Sequence, residues 1–143
     1  MLRRSRKTTS RQVPSEPAAA FQAIVNARDA AVRLVQERAV AGKDLRGWEV
    51  DRAARQVLDD SGYGTYVLHR TGHSLGENVH GNGTHLDDYE THDERRLVPR
   101  TGFTVEPGLY FERFGVRTEI NVYRGERDAE VTGERQARIV TLL

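Results

Sequence analysis

The histidines of this 143-residue chain are confined to one short stretch. All five lie between positions 69 and 92: His69, His73, His80, His85 and His92. Imidazole is the commonest metal ligand and exchanges protons near neutral pH, so this clustering favours a metal site or acid–base catalysis. Taken singly, each histidine is more often a packed or solvated residue. The segment HRTGHSLG stands out because Gly72 and Gly76 would let the backbone turn tightly around His73.

Two glutamates lie in strand-like segments further along the chain. Glu106 ends the run FTVE, and Pro107 keeps the residue before it extended, so this carboxylate would project from a stiff strand end. In FGVRTEINVY, strand alternation over Val116–Tyr123 puts Arg117 and Glu119 on one polar face. The alternatives are an exposed glutamate beside a turn in the first segment, and the solvated face of an edge strand in the second.

One histidine and two glutamates form a nitrogen and oxygen donor set. Such a set suits manganese, cobalt, zinc or iron, and it does not suit copper(I) or an iron–sulfur cluster. Bridging carboxylates would allow a pair of metal ions, as in two-metal aminopeptidases. Three ligands cannot fill two coordination spheres, however, and the spacing alone leaves open whether a metal binds.

Two predicted helices precede the histidine-rich stretch and must position its start. The first is predicted to begin at Pro14–Pro17, with Ser15 as N-cap, and to stop at Gly42. Its apolar stripe is interrupted by Arg28, which would either extend toward solvent or meet a carboxylate. The second helix is predicted from about Trp48 to Ser61.

The second half of the chain has the pattern of a sheet. Residues 81–101 are polar and rich in turn residues, which predicts a loop. Strands are predicted over Thr65–Arg70, Phe103–Glu106, Val116–Tyr123 and Arg138–Leu143. Two helices followed by an antiparallel sheet predict the α+β class.

Composition excludes several classes of protein. Twenty-two basic and 21 acidic residues give a net charge of +1, so the molecule as a whole has no bias toward nucleic acid or membranes. The absence of cysteine excludes disulfides, thiolate metal sites and a cysteine nucleophile. No apolar run reaches the length of a membrane span. We therefore expect a cytoplasmic protein that binds neither membranes nor nucleic acid.

The chain divides into a basic start and one domain. Residues 1–13 carry five positive charges and no acid, which is compatible with a disordered tail or with a nucleic-acid-binding arm. The disordered tail is favoured because no aromatic residue is interleaved for base stacking. Residues 14–143 are predicted to form the domain.

The motifs HRTGHSLGENVHG, FTVEPGLYF and FGVRTEINVY, in this order, resemble the signature of the pita-bread metallopeptidases. That family includes methionine aminopeptidases, Xaa-Pro aminopeptidases, prolidases and creatinase. The flanking WEVDRAARQVL and VHGNGTHLDDYETHDERRL look like the Xaa-Pro aminopeptidase and prolidase branch, and the resemblance runs from about residue 15 to the C-terminus. It implies the C-terminal part of a pita-bread catalytic domain that hydrolyses the bond before proline in proline-containing peptides.

The resemblance also implies roles for individual residues. His73 matches a metal ligand, Glu106 a ligand of the same ion that helps to activate water, and Glu119 a bridge between two divalent ions (Mn, Co or Zn). His69 and His80 match catalytic histidines that line the substrate pocket. Arg117 matches an arginine that orients a ligand carboxylate. Relatives commonly dimerise, so a homodimer is compatible with the family.

One departure concerns the remaining metal ligands. The family has two aspartates on a hairpin before the first helix, whereas here that region contains no aspartate and Glu16 is its only acid. Asp29 lies inside a predicted helix and cannot substitute. We therefore expect an N-terminally truncated form that is weakly active or inactive alone.

Two other functions remain open. A pita-bread homologue that has lost metal would serve as a peptide- or protein-binding module, but the retained His69, His73 and His80 argue against long-standing loss. A metal-free hydrolase resembling creatinase would use the same histidine and glutamate positions for a small guanidino substrate, and the aminopeptidase-like motifs disfavour it.

Overall fold

The structure, a computed structural model, describes residues 12–142. Nearly all of the predicted basic tail therefore lies outside the described residues. The described part forms two α-helices, one short 3-10 helix and six strands. Their bounds are α1 Ser15–Ala41, α2 Gly47–Asp60, the 3-10 helix Gly64–Tyr66, β1 Ser74–Leu75, β2 Thr101–Val105, β3 Gly108–Tyr110, β4 Gly115–Arg117, β5 Ile120–Arg124 and β6 Ala129–Thr132. No helix within residues 12–142 is long and apolar enough to cross a membrane.

Helix α1 packs against α2 and against strands of both sheets, so it lies at the centre of the core. Its Ile24 and Val35 are fully buried, as are Val50 of α2 and Phe103 of β2. The helix ends as predicted at Gly42, whose φ of 63° is in the left-handed region that favours glycine. The prediction that Ser15 is the N-cap is wrong.

The helix starts at Ser15, one residue earlier than predicted, because Pro14 is the N-cap. The Pro14 carbonyl accepts a hydrogen bond from the Ala18 N–H at 3.1 Å, and no side chain caps this end. A proline loses nothing as an N-cap, since its missing N–H has no partner in a helix anyway.

The strands form two antiparallel sheets. One has four strands in the order β1-β2-β5-β6, and β3 and β4 form a separate hairpin. All pairings are antiparallel, so the predicted α+β class with helices packed on an antiparallel sheet is confirmed. The loop predicted over residues 81–101 is confirmed except for its last residue, which begins β2.

Two predicted strands are absent. The prediction of a strand at Thr65–Arg70 is wrong because the chain forms a 3-10 turn there. The Tyr66 N–H donates to the Tyr63 carbonyl and the Val67 N–H donates to the Gly64 carbonyl. Residues 138–142 contain no strand either. The edge of the sheet is formed instead by β6, which the sequence pattern did not reveal, as it did not reveal β3.

The predicted strand Val116–Tyr123 is divided between the two sheets. The break falls at Thr118, whose N–H bonds the Pro107 carbonyl at 3.4 Å and whose hydroxyl accepts a hydrogen bond from Arg28 at 3.3 Å. Arg28 is 2% exposed and also pairs with Asp29 at 2.9 Å, so of the two alternatives it meets a carboxylate and does not extend toward solvent. These contacts direct the chain from β4 into β5.

Candidate metal centre

Three predicted ligand residues come together at the ends of adjacent strands. His73, Glu106 and Glu119 each place one ligand atom within 4.8 Å of the others, and they form the one such group among residues 12–142. The register explains the convergence: Val105 pairs with Ile120, so the next residues in each direction, Glu106 and Glu119, emerge side by side. The structure thus brings together the three residues that the sequence singled out, and their role as metal ligands stays a prediction.

His73 is held in a tautomer that suits a metal ligand. Its side chain is 9% exposed, and its Nδ1 lies 3.0 Å from the Ser74 carbonyl oxygen. Because a carbonyl only accepts hydrogen bonds, Nδ1 must carry the proton and a neutral ring then has its lone pair on Nε2. That Nε2 faces Glu106 Oε1 at 3.3 Å. His73 Nε2 and Glu106 Oε1 are both hydrogen-bond acceptors, so their approach favours a proton or a cation beside them.

Glu106 is fixed at both its backbone and its side chain. Its N–H donates to the Thr71 carbonyl at 2.7 Å, just past the end of β2, which confirms the predicted strand-end position. Its Oε1 accepts the hydroxyl of Thr104 at 3.0 Å, and the carboxyl side chain is 15% exposed. Glu119 is the exposed member of the group.

The charge of the group matches a divalent cation. Neutral His73 with ionised Glu106 and Glu119 carries two negative charges, and the nitrogen and oxygen donors suit manganese, cobalt or zinc. Without a cation the two carboxylates repel each other. The donor set therefore fits one divalent ion, while two ions would need more ligands than these three residues supply.

His80 and His69 have different neighbours. The His80 ring is exposed, and its centroid is 4.3 Å from that of His73. His69 is half-buried, with Nδ1 donating to the Arg70 carbonyl at 2.7 Å and Nε2 accepting the Tyr110 hydroxyl at 2.7 Å. Both ring nitrogens of His69 are thus engaged.

Arg117 is not part of the ligand group. It is exposed at the end of β4, directly opposite Gly108, which is two residues beyond Glu106. The premise of one continuous strand carrying Arg117 and Glu119 is wrong, because the chain changes sheets at Thr118 between them. The hairpin pairing, rather than strand alternation, places Arg117 near the site.

Two glycines allow the close approaches at this centre. A Cβ on Gly72 would lie 1.9 Å from the Thr104 carbonyl oxygen, and one on Gly108 would lie 3.0 Å from His69 Nε2. Gly72 is therefore required by contact with β2 and not by a tight turn. The predicted role for Gly76 is wrong, since a Cβ there would meet its nearest atom at 3.8 Å and its φ is not positive.

Comparison with known proteins agrees with this geometry. The profile of metallopeptidase family M24 matches residues 7–126. The chain belongs to this family. It is 35% identical over 98 residues to a Xaa-Pro dipeptidase of Pyrococcus furiosus, a match that covers 66% of this chain and 27% of that protein.

Solved structures of M24 relatives share the fold. The crystal structure of dipeptidase PepE from Mycobacterium ulcerans superposes with a TM-score of 0.77 at 32% identity, covering 90% of this chain and 32% of that one. A prolidase from Thermococcus sibiricus gives a TM-score of 0.75 at 29% identity, covering 91% and 33%. The pita-bread fold is thus confirmed, and the chain spans about a third or less of the length of these relatives.

Sequence reasoning missed three polar residues that support the group of His73, Glu106 and Glu119 or its surroundings. Thr104 and Tyr110 contact Glu106 and His69 respectively, and Asp51 of α2 is 1% exposed and accepts the Thr71 N–H at 3.0 Å. Thr104 was detectable, because strand alternation puts it on the same face as Glu106. Asp51 had no such signal, since its partner lies 20 residues away.

The Asp93 carboxylate stabilises the segment that carries His73 and His85. Asp93 Oδ2 accepts the His85 N–H at 2.9 Å, and His85 Nδ1 accepts the Ser74 N–H at 3.0 Å, next to His73. Burial alone would raise the pKa of Asp93, but hydrogen bonds from Arg95 and from the His85 N–H outweigh it and lower the pKa to about 2.

Acid should therefore remove the contribution of Asp93 to stability. A carboxyl group with a lowered folded-state pKa stabilises above its ordinary value of 3.8, and the contribution is lost as the pH falls through about 2. The advantage of wild type over Asp93→Asn in urea unfolding should shrink by about 2 kcal/mol over that window. Exposed Asp60→Asn is the control. A difference independent of pH would contradict the assignment.

Proposed function

We propose that this chain contributes His73, Glu106 and Glu119 as ligands of a divalent metal ion in a peptidase that cleaves Xaa-Pro bonds. The observation that supports it is the placement of one ligand atom from each residue within 4.8 Å of the others. The activities of relatives, Xaa-Pro dipeptidase and prolidase, supply the substrate class. The proposal also assigns roles to the other site residues.

The metal, when bound, would polarise the scissile carbonyl and lower the pKa of the attacking water. Around it, Glu106 would accept the proton from that water, a role supported by the Thr104 hydrogen bond that orients its carboxylate. His80, exposed beside His73, would donate a hydrogen bond to the oxyanion that develops on the substrate. Arg117 would pair with a substrate carboxylate, as guanidinium groups do in bidentate geometry.

His69 would act on substrate together with Tyr110. The Tyr110 hydroxyl gives its one proton to His69 Nε2, so its oxygen lone pairs remain available to accept from a substrate N–H. His69 Nε2 itself would contact the substrate only if its hydrogen bond with the Tyr110 hydroxyl were broken. We therefore assign to the pair, and not to the histidine alone, the substrate-binding role predicted for His69.

Proline specificity follows from the shape of the substrate. The amide that precedes proline has no N–H, and the ring fixes the φ angle of proline at about −65°. A pocket that accepts the ring therefore selects this bond. The use of manganese over cobalt or zinc, a second metal ion, a cytoplasmic location and a homodimer stay predictions.

Metal titration of the whole chain tests the proposal. Calorimetry with Mn²⁺, Co²⁺ and Zn²⁺ should show one divalent ion bound by wild type and binding lost in His73→Ala. The control is His92→Ala, because His92 is half-exposed, bonds Asp88 at 2.6 Å and is outside the ligand group. Hydrolysis of Xaa-Pro dipeptides, however slow, should cease with a chelator and in His73→Ala.

Three results would count against the proposal. Equal metal affinity in wild type and His73→Ala would exclude the site. Binding of proline peptides that persists with chelator and without hydrolysis would indicate a binding module instead. Turnover of creatine in the presence of chelator would indicate the metal-free hydrolase.

A further inference from the structure

The hydroxyl of Thr104 joins two of the three ligand residues. Thr104 is 1% exposed and lies in β2, between β1 and β5. Its Oγ1 accepts the His73 N–H at 3.0 Å and lies 3.0 Å from Glu106 Oε1. Since a carboxylate oxygen only accepts, the single hydroxyl proton must point to Glu106.

The two bonds are mutually dependent. A hydroxyl has one proton, and acceptance from the His73 N–H uses a lone pair, so the proton is left for Glu106. The Thr104 N–H also donates to the His73 carbonyl at 2.9 Å, which fixes the backbone of Thr104 directly against that of His73. The carboxylate of Glu106 is thus oriented with reference to the residue that carries the imidazole.

We propose that Thr104 is a positioning residue that sets the Glu106 carboxylate toward His73 Nε2 before any metal binds. The inference rests on the proposed metal-binding function. A glutamate side chain has several rotatable bonds, and ordering it costs conformational entropy when a ligand binds. The Thr104 hydrogen bond orders it in advance and leaves the other lone pairs of the carboxylate for a cation.

A purely structural role for Thr104 makes a different prediction. In that case its hydroxyl would only satisfy the buried His73 N–H, and its loss would lower stability without changing metal affinity. Thr104→Val removes the hydroxyl and keeps the branched shape, whereas Thr104→Ser keeps the hydroxyl and loses a methyl group. The pair separates hydrogen bonding from packing.

The test compares both variants with wild type by metal calorimetry, at a temperature where each is folded by circular dichroism. Thr104→Val should lower Mn²⁺ or Co²⁺ affinity by about 10- to 100-fold, the usual cost of losing a partner that orients a ligand. Thr104→Ser should stay within about threefold of wild type on the same reasoning. Thr84→Val is the control, because its hydroxyl bonds the Arg96 carbonyl away from the ligands.

A measurement without metal tests the positioning directly. NMR three-bond couplings of Glu106 should report one rotamer in wild type and Thr104→Ser, and rotamer averaging in Thr104→Val. Unchanged couplings and unchanged affinity in Thr104→Val would overturn the inference. If wild type bound no metal, the proposed function would fail, and the couplings alone would decide whether Thr104 orders Glu106.

Discussion

Replacing Glu106 with glutamine is expected to weaken divalent-metal binding by more than about 100-fold. Loss of a residue that only orients a ligand costs about 10- to 100-fold, and in the proposed function Glu106 is itself a ligand. The change keeps the volume of the side chain and reduces the charge of the group from two negative charges to one. Hydrolysis of Xaa-Pro peptides, where measurable, should fall by about 100- to 10,000-fold, because the proton acceptor is lost.

The amide also opposes metal binding through its geometry. In one orientation its NH₂ group faces His73 Nε2, which Glu106 Oε1 approaches at 3.3 Å in the native chain. A hydrogen bond there would occupy the lone pair that a metal needs. The effect of Glu106→Gln and that of His73→Ala should therefore be less than additive, since either change removes the same ion.

The free energy of unfolding distinguishes this effect from misfolding. In the metal-free chain, Glu106→Gln removes repulsion between two neighbouring carboxylates, so stability should not fall. Glu130→Gln is the matched control, because Glu130 is exposed on β6 and outside the ligand group. Calorimetry and urea unfolding are measured on the same samples. Native metal affinity in Glu106→Gln would exclude Glu106 as a ligand.

The positions of the three proposed ligands were predictable from the resemblance of their motifs to those of the pita-bread metallopeptidases, and locally from Pro107, which keeps Glu106 extended just past the end of β2. The need for glycine at position 72 comes instead from its contact with Thr104 of β2, which no tight turn predicts. The predictions based on strand propensity alone failed where distant contacts decide. Thr118 leaves its strand because Arg28, 90 residues earlier, bonds its hydroxyl, and no local pattern contains that information.

The same distinction applies to the residues around the ligands. Alternation in β2 is sufficient to put Thr104 and Glu106 on one face, although it does not tell that a hydroxyl will bond the carboxylate. Tyr110 contacts His69 from the β3–β4 hairpin, and Asp51 contacts Thr71 from a helix. Such contacts depend on packing between elements, which the sequence encodes only through the complete fold.

Asp51→Ala is expected to destabilise the chain by about 3 kcal/mol, the largest stability effect among the polar residues of this region. Asp51 is 1% exposed and accepts three hydrogen bonds, from the N–H and hydroxyl of Thr71 and from the Asp88 N–H. Alanine leaves the buried Thr71 N–H and the partly buried Asp88 N–H without their acceptor, at about 1–3 kcal/mol for a buried group. Urea unfolding at neutral pH measures the loss.

Asp51 also connects the fold to the metal centre. The Thr71 residue that it holds accepts the Glu106 N–H through its carbonyl at 2.7 Å. Loss of the carboxylate should therefore loosen the strand end that carries Glu106 and lower metal affinity as well as stability. Asp60→Ala, an exposed change in the same helix, is the control and should leave both quantities near their native values.

The pH dependence of Asp51 has the opposite sign to that of Asp93. Burial is the largest influence on Asp51 and raises its pKa above 3.8, in spite of the hydrogen bonds from Thr71 and Asp88. A carboxyl group with a raised folded-state pKa binds its proton more tightly when folded, so stability falls as the pH rises through that pKa. The isosteric Asp51→Asn lacks this titration, and its stability relative to wild type should improve with rising pH. A constant difference would show that burial does not control the titration of Asp51, and that the three hydrogen bonds alone determine its charge.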